Sequence, residues 1–160
     1  MTPQDTDPKP QRGGAPVGFL SELGPLEAAA VVYLRLWCSS AQTQARAVSD
    51  FEAMLGPDNG SRVAAALAQI CQACSLHGRR PLMRHHVDCT CLGGDESCFA
   101  NFIAAATEGA REDAFLFASN IVRPDIALNL VTTARDFGLG LRLMGNAACV
   151  PPEPRTNTLH

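Results

Sequence analysis

The chain has 160 residues, of which 46% are hydrophobic and 18% charged, with a formal net charge of -3. These values fit one globular domain with a core of its own and exclude a disordered chain. The acidic balance also excludes a general binder of nucleic acid or anionic membrane, so any attraction to phosphate has to be local.

Residues 1–16 read as a flexible leader. They are polar and rich in proline and glycine, without the apolar run of a signal peptide or the arginine- and serine-rich pattern of a transit peptide. A helical domain is expected over 17–148. Gly24 and Pro25 open its first helix, which runs to about Trp37. Its apolar stretch LEAAAVVYLRLWC is interrupted by Glu27 and Arg35 and falls short of the roughly 20 apolar residues a membrane span needs. A cytoplasmic protein is expected.

Ser39 or Ser40 caps the second helix, with Ala45, Val48, Phe51 and Leu55 at helical spacing, and Gly56 and Pro57 end it. Asn59 or Ser61 starts a third, with Val63, Leu67, Ile70 and Cys74 on one face and Gly78 as the stop. Asp95 is placed as the N-cap of a fourth, and Glu96 suits the positive end of its dipole. Arg111 to Asn120 reads as a short fifth helix. Pro124 begins the last, which reaches about Met144 with Ala127, Leu130, Val131, Ala134 and Leu141 inward. Residues 149–160 read as a flexible tail. No segment alternates with the period of a strand. The predicted fold is all-α, a single compact bundle of five to six helices with an ordered Cys/His-rich connection.

That connection holds the chemistry. Residues 77–98 read HGRRPLMRHHVDCTCLGGDESC, and the chain has seven cysteines. In a reducing compartment clustered cysteines point to metal ligation or redox chemistry before disulfides, and an odd count argues against complete pairing. Cys71 and Cys74 are three apart near the end of the third helix, so their beta carbons lie about 5–6 Å apart on one face. His77 follows one turn on, Cys89 and Cys91 come from the connection with His85 and His86 just before them, and Cys98 opens the next helix. Two close pairs from separate segments suit the tetrahedral site that zinc prefers. CQAC and CTC are such pairs, although the second is one residue shorter than the usual spacing.

The candidate ligands are therefore Cys71, Cys74, His85, Cys89 and Cys91, with Cys74, His85, Cys89 and Cys91 as one alternative set of four. His85 is preferred to His86 because it lies four residues before Cys89. Cys38 and Cys149 read as ordinary core or tail thiols, since free cysteine packs as a small hydrophobe. The connection lacks apolar periodicity, and a structural zinc, contributing about 10–16 kcal/mol, would pin it to the third helix. Redox use of CQAC is disfavoured, because a helix C-terminus opposes the thiolate.

Arg79, Arg80 and Arg84 give the connection a local positive surplus suited to an anionic partner, an acidic protein ahead of a nucleic acid, unless nearby carboxylates neutralise them. Leftover apolar faces on alanine-rich helices suit a homodimer. GGDE at 93–96 matches part of the diguanylate cyclase signature, but Ser97 follows where that motif has an aromatic residue, so the glycines read as turn residues. No zinc-hydrolase, deaminase, nucleophile-elbow or phosphate-loop motif is present. The function expected is a zinc-binding interaction or regulatory module. The alternatives are a metalloenzyme with an open coordination position, using Asp95 or Glu96 as base, or a thiol-based redox sensor.

Overall fold

The computed structural model describes residues 12–148. Most of the expected leader, the whole expected tail and Cys149 lie outside the described residues. Six α-helices are described: α1 (Pro25–Ser39), α2 (Ala41–Leu55), α3 (Pro57–His77), α4 (Gly94–Glu108), α5 (Arg111–Ile121) and α6 (Pro124–Ala148). No described helix is long and apolar enough to cross a membrane.

The helical bundle follows from the sequence pattern. Proline occupies the first position of α1 and α3, where its missing N–H has no partner to lose. Ser40 caps α2 through a reciprocal box with Thr43, its hydroxyl accepting from the Thr43 N–H and its own N–H donating to Thr43 Oγ1. Gly56, at φ +84°, takes the backbone through a left-handed turn straight into α3. That abrupt connection starts α3 at Pro57, two to four residues before the predicted cap. Gly60 then lets α3 approach α2 closely, since a beta carbon there would lie 2.6 Å from the backbone of Glu52.

The core joins Leu34, Phe51, Leu67, Ile70, Phe99, Phe102, Ile103 and Phe137, all essentially inaccessible. Tyr33 stacks on Phe51 with ring centroids 4.7 Å apart, and Phe51 meets Phe137 edge-on at 6.4 Å. All five inward positions read for α6 are buried. In α2 the buried face is carried by Ala47 and Phe51, with Val48 and Leu55 packed against it, whereas Ala45 is exposed.

The helical bundle fits the expected class, and two short strands are added to it. β1 (Pro16–Phe19) pairs antiparallel with β2 (Cys91–Gly93), in the register Phe19 to Cys91 and Gly18 to Leu92. At three and four residues they are too short to show alternation. Leu92 of β2 packs with Val31 and Ala100 in a small second cluster, edged by Leu20 and Leu23. Residues 12–16, assigned to the leader, are therefore partly structured as a 3-10 turn and the start of β1.

The fourth helix also begins differently. Its N-cap is Gly93, and Glu96, at the third helical position, reaches back to accept the Gly93 N–H at 3.1 Å. Asp95 is not the cap. Its carboxylate instead accepts two hydrogen bonds from Arg80, at 2.6 and 2.7 Å, and one from the Met83 N–H at 2.8 Å.

Arg35 and Glu96 meet in the middle of this arrangement, both fully buried. Arg35 Nε donates to Glu96 Oε2 at 2.5 Å and Nη2 to Glu96 Oε1 at 3.0 Å. Nη1 donates to the Cys89 carbonyl and Nη2 to the Cys91 carbonyl, each at 2.7 Å. One guanidinium thus ties α1 to α4 and to both ends of the CTC segment. Among the described residues no buried side-chain nitrogen or oxygen is left without a partner.

Two predictions follow from this packing. Arg35→Met leaves Glu96 charged and unpaired in the core, which costs about 3–5 kcal/mol, so urea denaturation should show a loss of that size at constant slope. Tyr33, the chain's single tyrosine, donates to Asp50 Oδ2 at 3.3 Å. Burial first, then the Asp50 charge and hydrogen bond, push its phenol up to about 12. Absorbance titration of phenolate should find that midpoint in folded protein. Because the folded value lies above the unfolded one, this group's contribution to stability is intact below about pH 10 and is lost as pH rises through the folded value.

Candidate metal and thiol sites

The residues expected to share one ion are distributed between two places. Cys71 and Cys74 lie in the last two turns of α3, facing the C-terminal turn of α1. There Cys38 Sγ and Cys71 Sγ are in hydrogen-bond contact at 3.9 Å. Cys38, Cys71 and Cys74 line a cleft of about 540 Å³ together with Leu34, Arg79, Arg80 and Arg84. Cys89 and Cys91 belong to the connection and β2, where Cys89 Sγ meets His85 Nδ1 at 3.8 Å. Among the described residues no three or more His, Cys, Asp or Glu side chains form a set that could hold a metal. All six described cysteines are free.

His85 is set by the opposite edge of its ring. Nε2 lies 2.9 Å from the Gly14 carbonyl. A carbonyl only accepts, so Nε2 carries the hydrogen of the neutral ring and Nδ1 presents its lone pair to Cys89. The ring packs on Gly93, where a beta carbon would come within 3.0 Å of His85 Cδ2. His86 points away from this site, is exposed, and lies 3.8 Å from Asp88. His77 closes α3, and its carbonyl accepts the Arg123 N–H. Cys98 Sγ donates to the Phe117 carbonyl at 3.4 Å, tying α4 to α5 and keeping it out of either cluster.

Protein hydrogen bonds run along the connection. Arg35 holds its carbonyls from below, and Arg80 clamps Asp95. The Leu20 N–H donates to Thr90 O at 2.9 Å and the Gly94 N–H to Ala15 O at 3.1 Å. A turn closes between Cys89 N and His86 O at 3.0 Å.

The three arginines also differ. Arg80 is neutralised by Asp95. Arg84 Nη2 donates to the Cys38 carbonyl at 3.1 Å and Arg79 Nε to the Ser119 carbonyl at 2.7 Å. Each thus places positive charge against the negative end of a helix, α1 and α5 respectively. Neither has a carboxylate partner among the described residues.

These surroundings set the thiols apart. The hydrogen bond shared with Cys71, opposed by burial and helped by Arg84, lowers Cys38 to about 7. The same hydrogen bond, with burial, raises Cys71 far above its usual range. Burial and then the Cys38 charge raise Cys74 to about 12. Burial, then Cys89, holds Cys91 above its usual range, with Arg35 opposing.

Two important residues escaped the sequence reading. Arg35 sits one turn after Val31 on an inward-facing helix surface, and an arginine in that position requires a buried acceptor. Cys38 lies on the same helix one turn further, but only the packing of α1 on α3 brings it to Cys71. Both oxygens of Glu96 are occupied, by Arg35 and the Gly93 N–H, and Asp95 is held by Arg80 and the Met83 N–H.

Comparison of the chain with protein-family models, curated proteins and solved structures gives no match. Long-range nitrogen NMR of the histidine side chains should find neutral His85 as the Nε2–H tautomer. Signals of the Nδ1–H form would contradict the Gly14 bond and the orientation toward Cys89.

Proposed function

We propose that this chain is a metal-binding helical interaction or regulatory module of the cytoplasm, with zinc recruited by the His85–Cys89 pair already in contact and Cys91 turning in to join them as the ion binds. The observation that carries this reading is the imidazole of His85. Metal-bound histidines generally donate their second ring N–H to a carbonyl or carboxylate, which fixes the ring and directs the other nitrogen at the ion. His85 has that arrangement, through Gly14, before any metal is considered.

Spacing supports the same reading. Zn–S of about 2.3 Å and Zn–N of about 2.0–2.1 Å give a tetrahedral S···N edge of about 3.6 Å. Cys89 and His85 lie 3.8 Å apart. The Cys38–Cys71 separation would also suit a shared ion, but no imidazole faces those sulfurs, and burial raises both Cys71 and Cys74. Cys71 and Cys74 are accordingly left out of the proposed ligand set.

An interaction role is favoured over a catalytic one. Three protein ligands leave a fourth position outward, and a hydrolytic site would need a carboxylate free to move a proton. Asp95 and Glu96, the two carboxylates at the start of α4, are committed to arginines, and Asp88 lies exposed beside His86. A structural role is also less needed than composition implied, because hydrogen bonds already hold the connection. Arg79 and Arg84 remain the cations suited to an acidic partner.

Cobalt titration of the reduced protein tests the ligand set. Sulfur-to-cobalt charge-transfer bands should appear, and Cys89→Ser, Cys91→Ser or His85→Ala should weaken binding by about 10–100-fold or more, while Cys71→Ser and Cys74→Ser leave it unchanged. No bands, or bands that depend on Cys71 and Cys74 alone, would reject it.

A further inference from the structure

We infer that Cys38 and Cys71 form a two-thiol exchange site between α1 and α3, taking as its oxidant a small disulfide that carries carboxylates. This goes beyond the metal reading and uses none of its ligands.

The geometry supplies each requirement of thiol–disulfide exchange. The two sulfurs are in contact at 3.9 Å, so a bond of about 2.0 Å needs their approach by about 2 Å, within the range of side-chain rotation from two packed helices. Both thiols are half-buried and border the 540 Å³ cleft, which opens to solvent. Cys38 is assigned as the attacking sulfur because Arg84 donates to the Cys38 backbone carbonyl and so holds positive charge beside that thiol. A thiolate at the C-terminal end of α1 would ordinarily be opposed by the helix dipole. Arg84 answers that cost, since its guanidinium sits on the Cys38 carbonyl.

The same arginines select the substrate class. Arg79 and Arg84 line the cleft and each spends one donor on a backbone carbonyl. The rest of each guanidinium fork can take a carboxylate. Cys74, in the same wall, makes no sulfur–sulfur hydrogen bond among the described residues, whereas Cys38 and Cys71 are already in contact.

In the first step the Cys38 thiolate, its proton released to solvent, attacks one sulfur of the small disulfide. That sulfur–sulfur bond breaks, a mixed disulfide forms on Cys38, and one small thiolate leaves and takes up a proton. Cys71 then loses its proton and attacks Cys38 Sγ, expelling the second small thiolate, which is protonated in turn. Two protein thiols are oxidised by two electrons, and one small disulfide is reduced to two thiols. The Cys38–Cys71 bond would fasten α1 to α3 beside the arginine-bearing end of the connection.

The test exposes the reduced full-length chain to oxidised glutathione and, separately, to the neutral 2-hydroxyethyl disulfide, each rate normalised to that of free cysteine. Peptide mapping of the wild-type protein should find a Cys38–Cys71 disulfide, and Cys71→Ser should trap one glutathionyl group on Cys38. The normalised rate should favour the anionic reagent by about tenfold at low salt, and Arg79→Gln with Arg84→Gln should abolish that preference. A disulfide at Cys89–Cys91 with Cys38 and Cys71 still reduced would overturn the inference. So would equal normalised rates for the two reagents. Mapping needs no variant, so a Cys71→Ser chain that fails to fold would leave the outcome readable. Because cobalt binding is read on His85, Cys89 and Cys91, each proposal can fail while the other stands.

Discussion

The buried pair of Arg35 and Glu96 is the constraint on which the rest of the structure depends. Removing two full charges from water costs several kcal/mol each, and mutual attraction recovers that only when every remaining donor and acceptor is satisfied. Here the surplus donors of the guanidinium go to the carbonyls of Cys89 and Cys91, and the surplus acceptor of the carboxylate takes the N–H of Gly93. The cost of burial therefore enforces one conformation of a segment that has little apolar content of its own. Any slip of that segment would strand a charge in the core.

This explains why the thiols fall into two groups. Cys89 and Cys91 follow the carbonyls that Arg35 holds, which fixes them above the α1–α4 junction beside His85. Cys71 follows the register of α3 against α1 and meets Cys38. The two groups are carried by different scaffolds, one a pinned loop and the other a helix pair, so their chemistries are separable.

Much of the bundle was legible in the sequence because helix ends carry local chemistry. Proline at the start of α1 and α6, Ser40 before α2 and Gly56 after it each act within a turn. The inward residues of α6 were readable from spacing alone. What was not legible was non-local. A three-residue strand has no period to detect, and β1 and β2 exist because Leu92 packs on Val31 and Ala100. Asp95 has the composition of a cap, but the approach of Arg80 recruited it elsewhere while Glu96 did the capping. Of the candidate site, the contact of His85 with Cys89 is the part that a four-residue spacing can announce. The pairing of Cys71 with Cys38 depends on how two helices cross, which no local pattern encodes.

The sequence distance between the partners of the central pair has a consequence for synthesis of the chain. Arg35 precedes Glu96 by 61 residues, so at about 5–20 residues per second it leaves the ribosome roughly 3–12 s earlier. During that interval its charge has no carboxylate to meet, and α1 can only keep this face in water. Helices made early must therefore wait for a late one before the interior can close. Cys38, Cys71, Cys74, Cys89 and Cys91 are all translated within that delay, before α4 can close over them.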